Sequence, residues 1–219
     1  MLFRSDVYQH NGTRTRCTGY CTEVFFNAAM AWLQARQRQG EPFFLYLPTN
    51  APHSPLWVPE EDRLAVEAYF AQREHLLPQL NATLRANIIR FLAMIRNLDT
   101  HVGRLRTFLD AQGLARDTIL IFMTDNGSTF GHSYYNAGMR GSKCTLWEGG
   151  HRVPCFVHWP GGGLRAPRDV PGLTQVQDIL PTLVELCAIA RHPGPFDGDR
   201  KSTRLNSSHR IRNRMPSSA

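Results

Sequence analysis

Three short polar segments hold the side chains of this sequence that could do chemistry. In the first, Asp125 and Asn126 stand directly after an apolar run and offer one charged and one neutral oxygen donor. Hard oxygen donors suit Ca²⁺ or Mg²⁺ rather than zinc or copper. Gly127, which follows them, would let the backbone turn away sharply. A tight turn requires the same residue types, so a metal site and a simple turn both stay open on this segment alone.

The second and third segments present a lysine and a histidine. Lys143 lies in a Gly-rich stretch, residues 136–154, where a compact cation could meet an anion and backbone N–H groups could add to the cradle. His53 stands between two prolines, which would fix the distance of its ring from a leaving atom, as a general acid requires. Taken singly, each is better explained as an ordinary surface or loop side chain. Six further histidines lack such surroundings and are interpreted as structural or surface residues: His75, His101, His132, His151, His158 and His192.

Alternating helical and apolar segments must position these side chains. Apolar side chains at three- and four-residue spacing predict helices over about residues 22–39, 80–109 and 178–189, the first and last capped by Thr22 and Asp178. Gly40 is predicted to end the first helix and Gly113 to mark the turn after the second, whose apolar stripe includes Ile88 and Ile95. Apolar runs predict strands at 42–47, 118–123 and 153–159, the first two buried. The alternation predicts an α/β fold with a mainly parallel sheet flanked by helices, with ligands at the carboxyl ends of its strands.

Composition narrows the class of protein further. A hydrophobic content of 42% over 219 residues predicts a soluble globular chain, and no apolar run reaches the ~18 residues that a membrane-spanning helix needs. The net charge of +7 is concentrated in residues 199–219, so we predict no nucleic-acid partner. Five cysteines at irregular spacing predict free, buried or half-buried thiols rather than a zinc site, although one disulfide stays open in an exported protein. Within the Lys143 stretch, three charged side chains are predicted to pair with one another: Arg140, Glu148 and Arg152.

The order of these segments closely resembles the type I sulfatase family over about residues 15–198. The resemblance rests on Asn-Ala-Pro-His-x-Pro, then Thr-Asp-Asn-Gly, then Asn-Ala-Gly-x-Arg-Gly-x-Lys-x4-Glu-Gly-Gly-x-Arg-Val-Pro. It implies an alkaline-phosphatase-like fold, incomplete here, and hydrolysis of the sulfate ester of a small molecule or glycan. It implies that Asp125 and Asn126 are calcium ligands, that Lys143 contacts the sulfate and the leaving oxygen, and that His53 is the general acid. Export to a periplasm or secretion is expected of the family.

The sequence departs from that family in one important respect. The family's nucleophile is a formylglycine made from the first residue of Cys/Ser-x-Pro-x-Arg, and no cysteine or serine here stands in that motif. The paired N-terminal aspartates that complete the family's calcium site are also absent. We therefore predict that the chain by itself is inactive. The alternatives are a fragment of a related phosphodiesterase or phosphonate hydrolase, a non-catalytic anion- or glycan-binding remnant, and a piece that does not fold alone.

The last residues differ from the rest of the chain. Residues 199–219 show no apolar period and resemble the translated adapter sequence found at the ends of some environmental gene fragments. We predict a fragment of a sulfatase catalytic domain over residues 1–198 and a non-native or disordered basic tail over residues 199–219. A natural basic arm is the alternative interpretation of the tail.

Overall fold

A computed structural model describes residues 6–77, 80–164, 167–190 and 195–200. They form two compact units: the first takes in the residues up to Ala115 together with Phe122–Phe156, and the second takes in Arg116–Ile121 and the residues from Val157 onward. No helix in these ranges is both long enough and apolar enough to cross a bilayer. His192 and most of the predicted tail, residues 201–219, lie outside the described residues.

The first unit begins with a β-hairpin that the sequence analysis missed. Strands β1 (Val7–His10) and β2 (Thr13–Arg16) pair antiparallel, with Val7 opposite Arg16. The two connecting residues, Asn11 and Gly12, have φ angles of 49° and 82°. A two-residue hairpin turn with positive φ at both positions favours Asn-Gly, so this pair was the available signal.

Helix α1 (Cys21–Gln39) lies where it was predicted, but its N-cap is different. The N-cap residue is Tyr20, whereas Thr22 lies within the first turn and is fully buried. A buried first turn leaves the threonine side chain packed inside, so the prediction that Thr22 caps the helix was wrong. Gly40 ends the helix in the left-handed conformation, as predicted.

Two further helices complete the core of the first unit. Helix α3 (Ala82–Ala111) confirms the long predicted helix, and the side chain of Asn81 caps it by accepting a hydrogen bond from the Leu84 N–H at 2.9 Å. Helix α2 (Glu60–Ala71) was not predicted, and it packs against α3 through a cluster that includes Phe70 and Ile88. The predicted apolar stripe of α3 is correct at Ile88 but wrong at Ile95, which is exposed.

The predicted strands differ most from the structure. Residues 42–47 form no strand, and their side chains alternate between half-buried and exposed, with Phe44 77% exposed. A strand needs a hydrogen-bonded neighbour, and no strand among the described residues pairs with this segment. Strands β3 (Leu120–Met123) and β4 (Cys155–His158) pair with each other, but β3 is only half-buried, so the prediction of buried strands was wrong. Helices with two small sheets in the described ranges confirm an α/β chain, although β1 and β2 pair antiparallel, whereas a mainly parallel sheet was predicted.

The second unit holds the last helix. This helix is α5 (Ile179–Leu186), whereas the short helix α4 (Glu148–His151) belongs to the first unit. Asp178 occupies the N-cap position of α5, yet its carboxylate accepts hydrogen bonds from the backbone N–H groups of Gln175 at 2.8 Å and Asp199 at 2.7 Å. Arg200 pairs with Glu185 at 3.8 Å. Defined contacts therefore continue through residues 199 and 200, which we had assigned to the tail.

The cysteines are free, as predicted, but most are not buried. All five lie among the described residues, and none forms a disulfide. Cys21 is buried and Cys17 is half-buried, whereas the other three thiols are exposed: Cys144, Cys155 and Cys187.

Candidate functional site

The oxygen pair Asp125–Asn126 lies two residues beyond the end of β3. Asp125 is exposed, Asn126 is half-buried, and the Asn126 Nδ2 donates a hydrogen bond to Oδ2 of Asp125. This contact uses the amide nitrogen, so the amide oxygen of Asn126 remains an acceptor beside the carboxylate. The pair therefore keeps carboxylate and amide oxygens available as acceptors on adjacent residues.

Gly127 explains why the backbone after this pair can approach the Gly-rich loop. Its N–H donates to the carbonyl oxygen of Gly150 at 2.9 Å, and a Cβ at this position would lie 1.9 Å from the carbonyl oxygen of Gly149. We had expected Gly127 to serve a sharp turn. The structure instead requires glycine because two backbones meet here with no room for a side chain.

Lys143 is tied to the same region through its own backbone. Its N–H lies 3.3 Å from the carbonyl oxygen of Ser128, two residues after Asn126. The loop that carries Lys143 is stabilised by Asn136, whose side-chain nitrogen donates to the carbonyl oxygens of Met139 at 2.6 Å and Gly141 at 2.8 Å. The loop carrying Lys143 and the loop carrying Asp125 and Asn126 are therefore joined directly.

The charge of Lys143 is not neutralised by a neighbour. Its side chain is half-buried, and within the described ranges no carboxylate forms an ion pair with it. Arg152 pairs with Glu148 at 3.3 Å, as predicted, whereas the guanidinium of Arg140 lies 3.6 Å from the centre of the Trp147 ring. The Lys143 ammonium therefore has no ion-pair partner among the described residues.

His53 lies on a separate exposed loop between α1 and α2. Its backbone N–H donates to Asn50 at 2.8 Å, and its ring Nδ1 lies 2.8 Å from the carbonyl oxygen of Ser54. A carbonyl oxygen can only accept, so this bond requires the proton on Nδ1. The nitrogen left to exchange a proton with another molecule is therefore Nε2.

Three of the four predicted site residues lie on two loops that observed backbone contacts join. Asp125, Asn126 and Lys143 lie on joined loops, whereas the hydrogen bonds of His53 run within its own loop. The convergence of His53 with Lys143 on one cleft stays a prediction. The sequence analysis gave no role to Ser128, whose contact is made by the backbone and leaves no trace in residue type.

The oxygen donors fit a hard divalent cation in kind but not in number. Asp125 and Asn126 offer carboxylate and amide oxygens, whereas Ca²⁺ takes six to eight oxygen ligands. No group of three or more His, Cys, Asp or Glu side chains elsewhere in the described chain could hold a metal. The two residues can therefore supply part of a calcium or magnesium site.

His101 has a structural role, as predicted. It is buried in α3, its ring stacks on Phe26 with centroids 5.5 Å apart, and its Nδ1 lies 2.9 Å from Arg104 Nη1. Burial lowers the pKa of His101, and the Arg104 cation lowers it further. Because a guanidinium can only donate, Nδ1 of His101 accepts the hydrogen bond from Arg104, and the ring in that contact carries its proton on Nε2.

Comparison with known proteins adds independent findings. The family model described as Sulfatase matches residues 2–189. A sulfatase of Formosa agariphila is 30% identical over 207 residues, which are 88% of this chain and 35% of that protein. A crystal structure of Ps i-CgsB in complex with k-i-k-neocarrahexaose is 29% identical with a TM-score of 0.70, and the match covers 84% of this chain and 37% of that one.

A phosphonate monoester hydrolase of Agrobacterium radiobacter is also similar. It is 25% identical with a TM-score of 0.57, and the match covers 84% of this chain and 42% of that one. Sulfatases and phosphonate hydrolases of this kind share the alkaline-phosphatase-like fold, which confirms the predicted fold class. The chain spans about a third of the length of the curated relatives it matches. Since the family model covers most of its residues, the chain belongs to the sulfatase family of sulfuric ester hydrolases.

Proposed function

We propose that this chain is a fragment of a calcium-dependent sulfatase and supplies part of its site for sulfate-ester hydrolysis. The observation that carries the proposal is the junction of two loops, in which the Lys143 N–H meets the Ser128 carbonyl oxygen and the Gly127 N–H meets the Gly150 carbonyl oxygen. This junction joins the loop that carries Lys143 to the loop that carries two hard oxygen donors, which supports a shared site. A sulfate group is an anion whose oxygens can also bind a metal ion. It could therefore contact both the lysine and a metal held by the two oxygen donors.

Lys143 is proposed to hold the sulfate group and its leaving oxygen. A lysine ammonium is a compact charge with three donors, so it can oppose charge that develops on several oxygens at once. Because its loop is fixed by the Asn136 side chain, little reorganisation is needed when that charge appears. Lys143 would therefore stabilise the transition state more than the bound ester.

His53 is proposed to protonate the leaving oxygen. With Nδ1 engaged by Ser54, the protonated ring would present its Nε2–H to the departing alkoxide or phenoxide. The proton would move from Nε2 to that oxygen as its bond to sulfur breaks. The ring would then be left in the Nδ1–H tautomer that the Ser54 contact already stabilises.

Membership of the sulfatase family implies a divalent metal, and we propose Ca²⁺. The oxygens of Asp125 and Asn126 would provide two of its ligands, and the carboxylate would contribute negative charge. When bound, a calcium ion polarises a sulfate oxygen as a Lewis acid. The remaining ligands and the formylglycine nucleophile are proposed to come from sequence outside this chain.

The substrate is proposed to be a sulfated glycan or a sulfated small molecule. Support comes from the similar Ps i-CgsB, whose structure contains k-i-k-neocarrahexaose. The similarity to a phosphonate monoester hydrolase favours one second candidate, a fragment of a related phosphonate hydrolase.

The test is hydrolysis by the longer protein encoded by the complete gene. Turnover of aryl sulfates and aryl phosphonates would be compared for the wild type and for Lys143→Ala, Asp125→Ala and His53→Ala. We expect sulfate to be the better substrate and Lys143→Ala to lower kcat/KM about 10²- to 10³-fold. His53→Ala should cost about 10²-fold or more with poor leaving groups and less with good ones, because good leaving groups need no proton.

Arg106→Ala is the matched control, since Arg106 is an exposed cation of α3 outside both loops. It should leave kcat/KM unchanged. Faster hydrolysis of phosphonates than of sulfates would favour the second candidate. Unchanged turnover in Lys143→Ala would contradict both.

A further inference from the structure

The loop that carries His53 is anchored at both ends. At its start, Ala51 is buried and its carbonyl oxygen accepts a hydrogen bond from Thr49 Oγ1 at 3.0 Å. At its end, the carbonyl oxygen of Trp57 accepts a hydrogen bond at 2.9 Å from the phenol of Tyr20. Between these points lies exposed His53.

Tyr20 is well suited to serve as the second anchor. It is the N-cap residue of α1 and only 6% exposed, so its ring is held by the core while its hydroxyl reaches a loop 37 residues away. Burial raises the pKa of the Tyr20 phenol well above its usual range, with a further contribution from Cys21. The hydroxyl therefore keeps its proton and remains a donor.

The contact acts on the loop backbone rather than on a side chain. The Trp57 side chain is 61% exposed, so its ring does not hold the loop, and the Trp57 N–H donates to Pro55 at 2.8 Å. The hydrogen bond from Tyr20 therefore fixes the peptide chain close to Ser54, whose carbonyl oxygen sets the tautomer of His53.

We propose that Tyr20 is a positioning residue for His53, holding the loop so that Ser54 keeps the imidazole in the Nδ1–H tautomer with Nε2 directed to other partners. The significance of this tautomer for proton donation rests on the proposed function. The tautomer of the His53 ring can be measured without any assay of sulfate-ester hydrolysis.

The test uses the 219-residue chain with ¹⁵N-labelled histidine at about pH 8, well above the ordinary histidine pKa of about 6.5. A His53→Gln variant assigns the ring signals. In the wild type we expect a protonated Nδ1 and an unprotonated Nε2. In Tyr20→Phe, which keeps the ring but removes the donor, we expect Nε2–H to become populated.

Amide exchange provides a second measurement on the same samples. The N–H groups of His53 and Trp57 should exchange about fivefold to tenfold faster in Tyr20→Phe, the factor expected for the net loss of one hydrogen bond. Tyr69→Phe is the control, because Tyr69 is a half-exposed tyrosine of α2 that contacts Phe70 and Arg73 through its ring. It should alter neither the tautomer nor the exchange.

A third measurement needs no variant and so does not depend on whether Tyr20→Phe folds. With the Tyr20 Cζ carbon labelled, an equal mixture of H₂O and D₂O should give two Cζ signals separated by a deuterium isotope shift, because a buried hydroxyl that donates to the Trp57 carbonyl oxygen exchanges slowly. The proposal is overturned if this isotope shift is absent, or if wild-type His53 shows no preference for Nδ1–H. It is also overturned if a folded Tyr20→Phe keeps the wild-type tautomer, or if Tyr69→Phe changes it equally. None of these results depends on whether the longer protein hydrolyses sulfate esters, so failure of the two proposals is distinguishable.

Discussion

The side-chain amide of Asn97 donates a hydrogen bond to the buried carboxylate of Asp62, with Nδ2 and Oδ2 2.7 Å apart. Arg96 binds the other carboxylate oxygen, so the first turn of α2 is joined to the middle of α3 by a charged group. Asn97 is itself buried, and its Oδ1 has no hydrogen-bond partner among the described residues. Within the part of the chain that the structure describes, Asp62 is thus the one hydrogen-bond partner of the Asn97 side chain.

Asp62→Ala should therefore destabilise the chain. Arg96 is half-exposed and can return to water, but the Asn97 amide would be left buried without a partner. We expect the free energy of unfolding in urea to fall by about 2 kcal/mol, the usual cost of losing a hydrogen bond to a buried charged group. Asp99→Ala, at an exposed aspartate of α3, should change it by less than about 0.5 kcal/mol. Equal effects of the two variants would contradict the role given to Asp62.

Gly127→Ala should disturb the junction of the two site loops. The added Cβ would lie 1.9 Å from the carbonyl oxygen of Gly149, a backbone atom that can move only with its loop. We expect a loss of about 1–3 kcal/mol in the free energy of unfolding, measured by urea titration, as is typical of overpacking.

The matched control for Gly127→Ala is Gly103→Ala in α3. Its added Cβ would meet open space, and alanine is the better helix former, so this variant should be more stable by about 0.5–1 kcal/mol. A Gly127→Ala chain as stable as the wild type would show that the two backbones are not in contact.

Local patterns account for much of the helical structure. Three- and four-residue apolar spacing located α1 and α3, and Gly40 and Gly113 marked where they end. Helix α2 was missed although three acidic residues follow Pro59, a typical helix start. The segment at residues 42–47 has the composition of a strand, but strand formation depends on a neighbour that local sequence does not specify.

The candidate site likewise combines residues that local sequence could suggest with contacts that it could not. Residue types were sufficient to suggest Asp125, Asn126 and Lys143, because hard oxygens and a loop lysine have recognisable chemistry. Their junction depends on backbone contacts such as that between Lys143 and Ser128, which are separated along the chain and do not depend on side-chain type. The anchor from Tyr20 to the His53 loop was missed for a similar reason, since its acceptor is a backbone carbonyl.

Stability should depend on pH through His101. Because burial and Arg104 lower its pKa in the folded state, the unfolded chain takes up the proton at a higher pH than the folded chain does. The free energy of unfolding should therefore decrease as pH falls below about 6.5, the ordinary histidine pKa, toward the lower folded value.

The measurement for His101 is urea unfolding at about pH 7.5 and about pH 5. His101→Phe, which keeps an aromatic ring next to Phe26 but cannot titrate, should show a smaller loss of stability between these pH values than the wild type. His75→Gln, at an exposed histidine, should behave like the wild type. The same pH dependence in all three chains would exclude His101 as the cause.

The chain by itself should not hydrolyse sulfate esters. It contains no Cys/Ser-x-Pro-x-Arg segment from which the family's formylglycine nucleophile could be made. Purified chain and its Lys143→Ala variant should therefore release phenol from an aryl sulfate at the same background rate. Wild-type turnover above that of Lys143→Ala would refute this prediction.

Calcium should bind weakly to the isolated chain, and at Asp125 and Asn126. Two oxygen-donating side chains fall well short of the six to eight ligands that Ca²⁺ takes, so we expect a Kd of about 1 mM or weaker. The Asn126 side-chain amide should shift during a CaCl₂ titration followed by NMR, because its oxygen would bind the ion. Asp125→Ala should abolish that shift, whereas Asp99→Ala should retain it. Saturation below about 10 μM would mean that the chain already holds a nearly complete ligand set, contrary to the proposal that most ligands lie outside it.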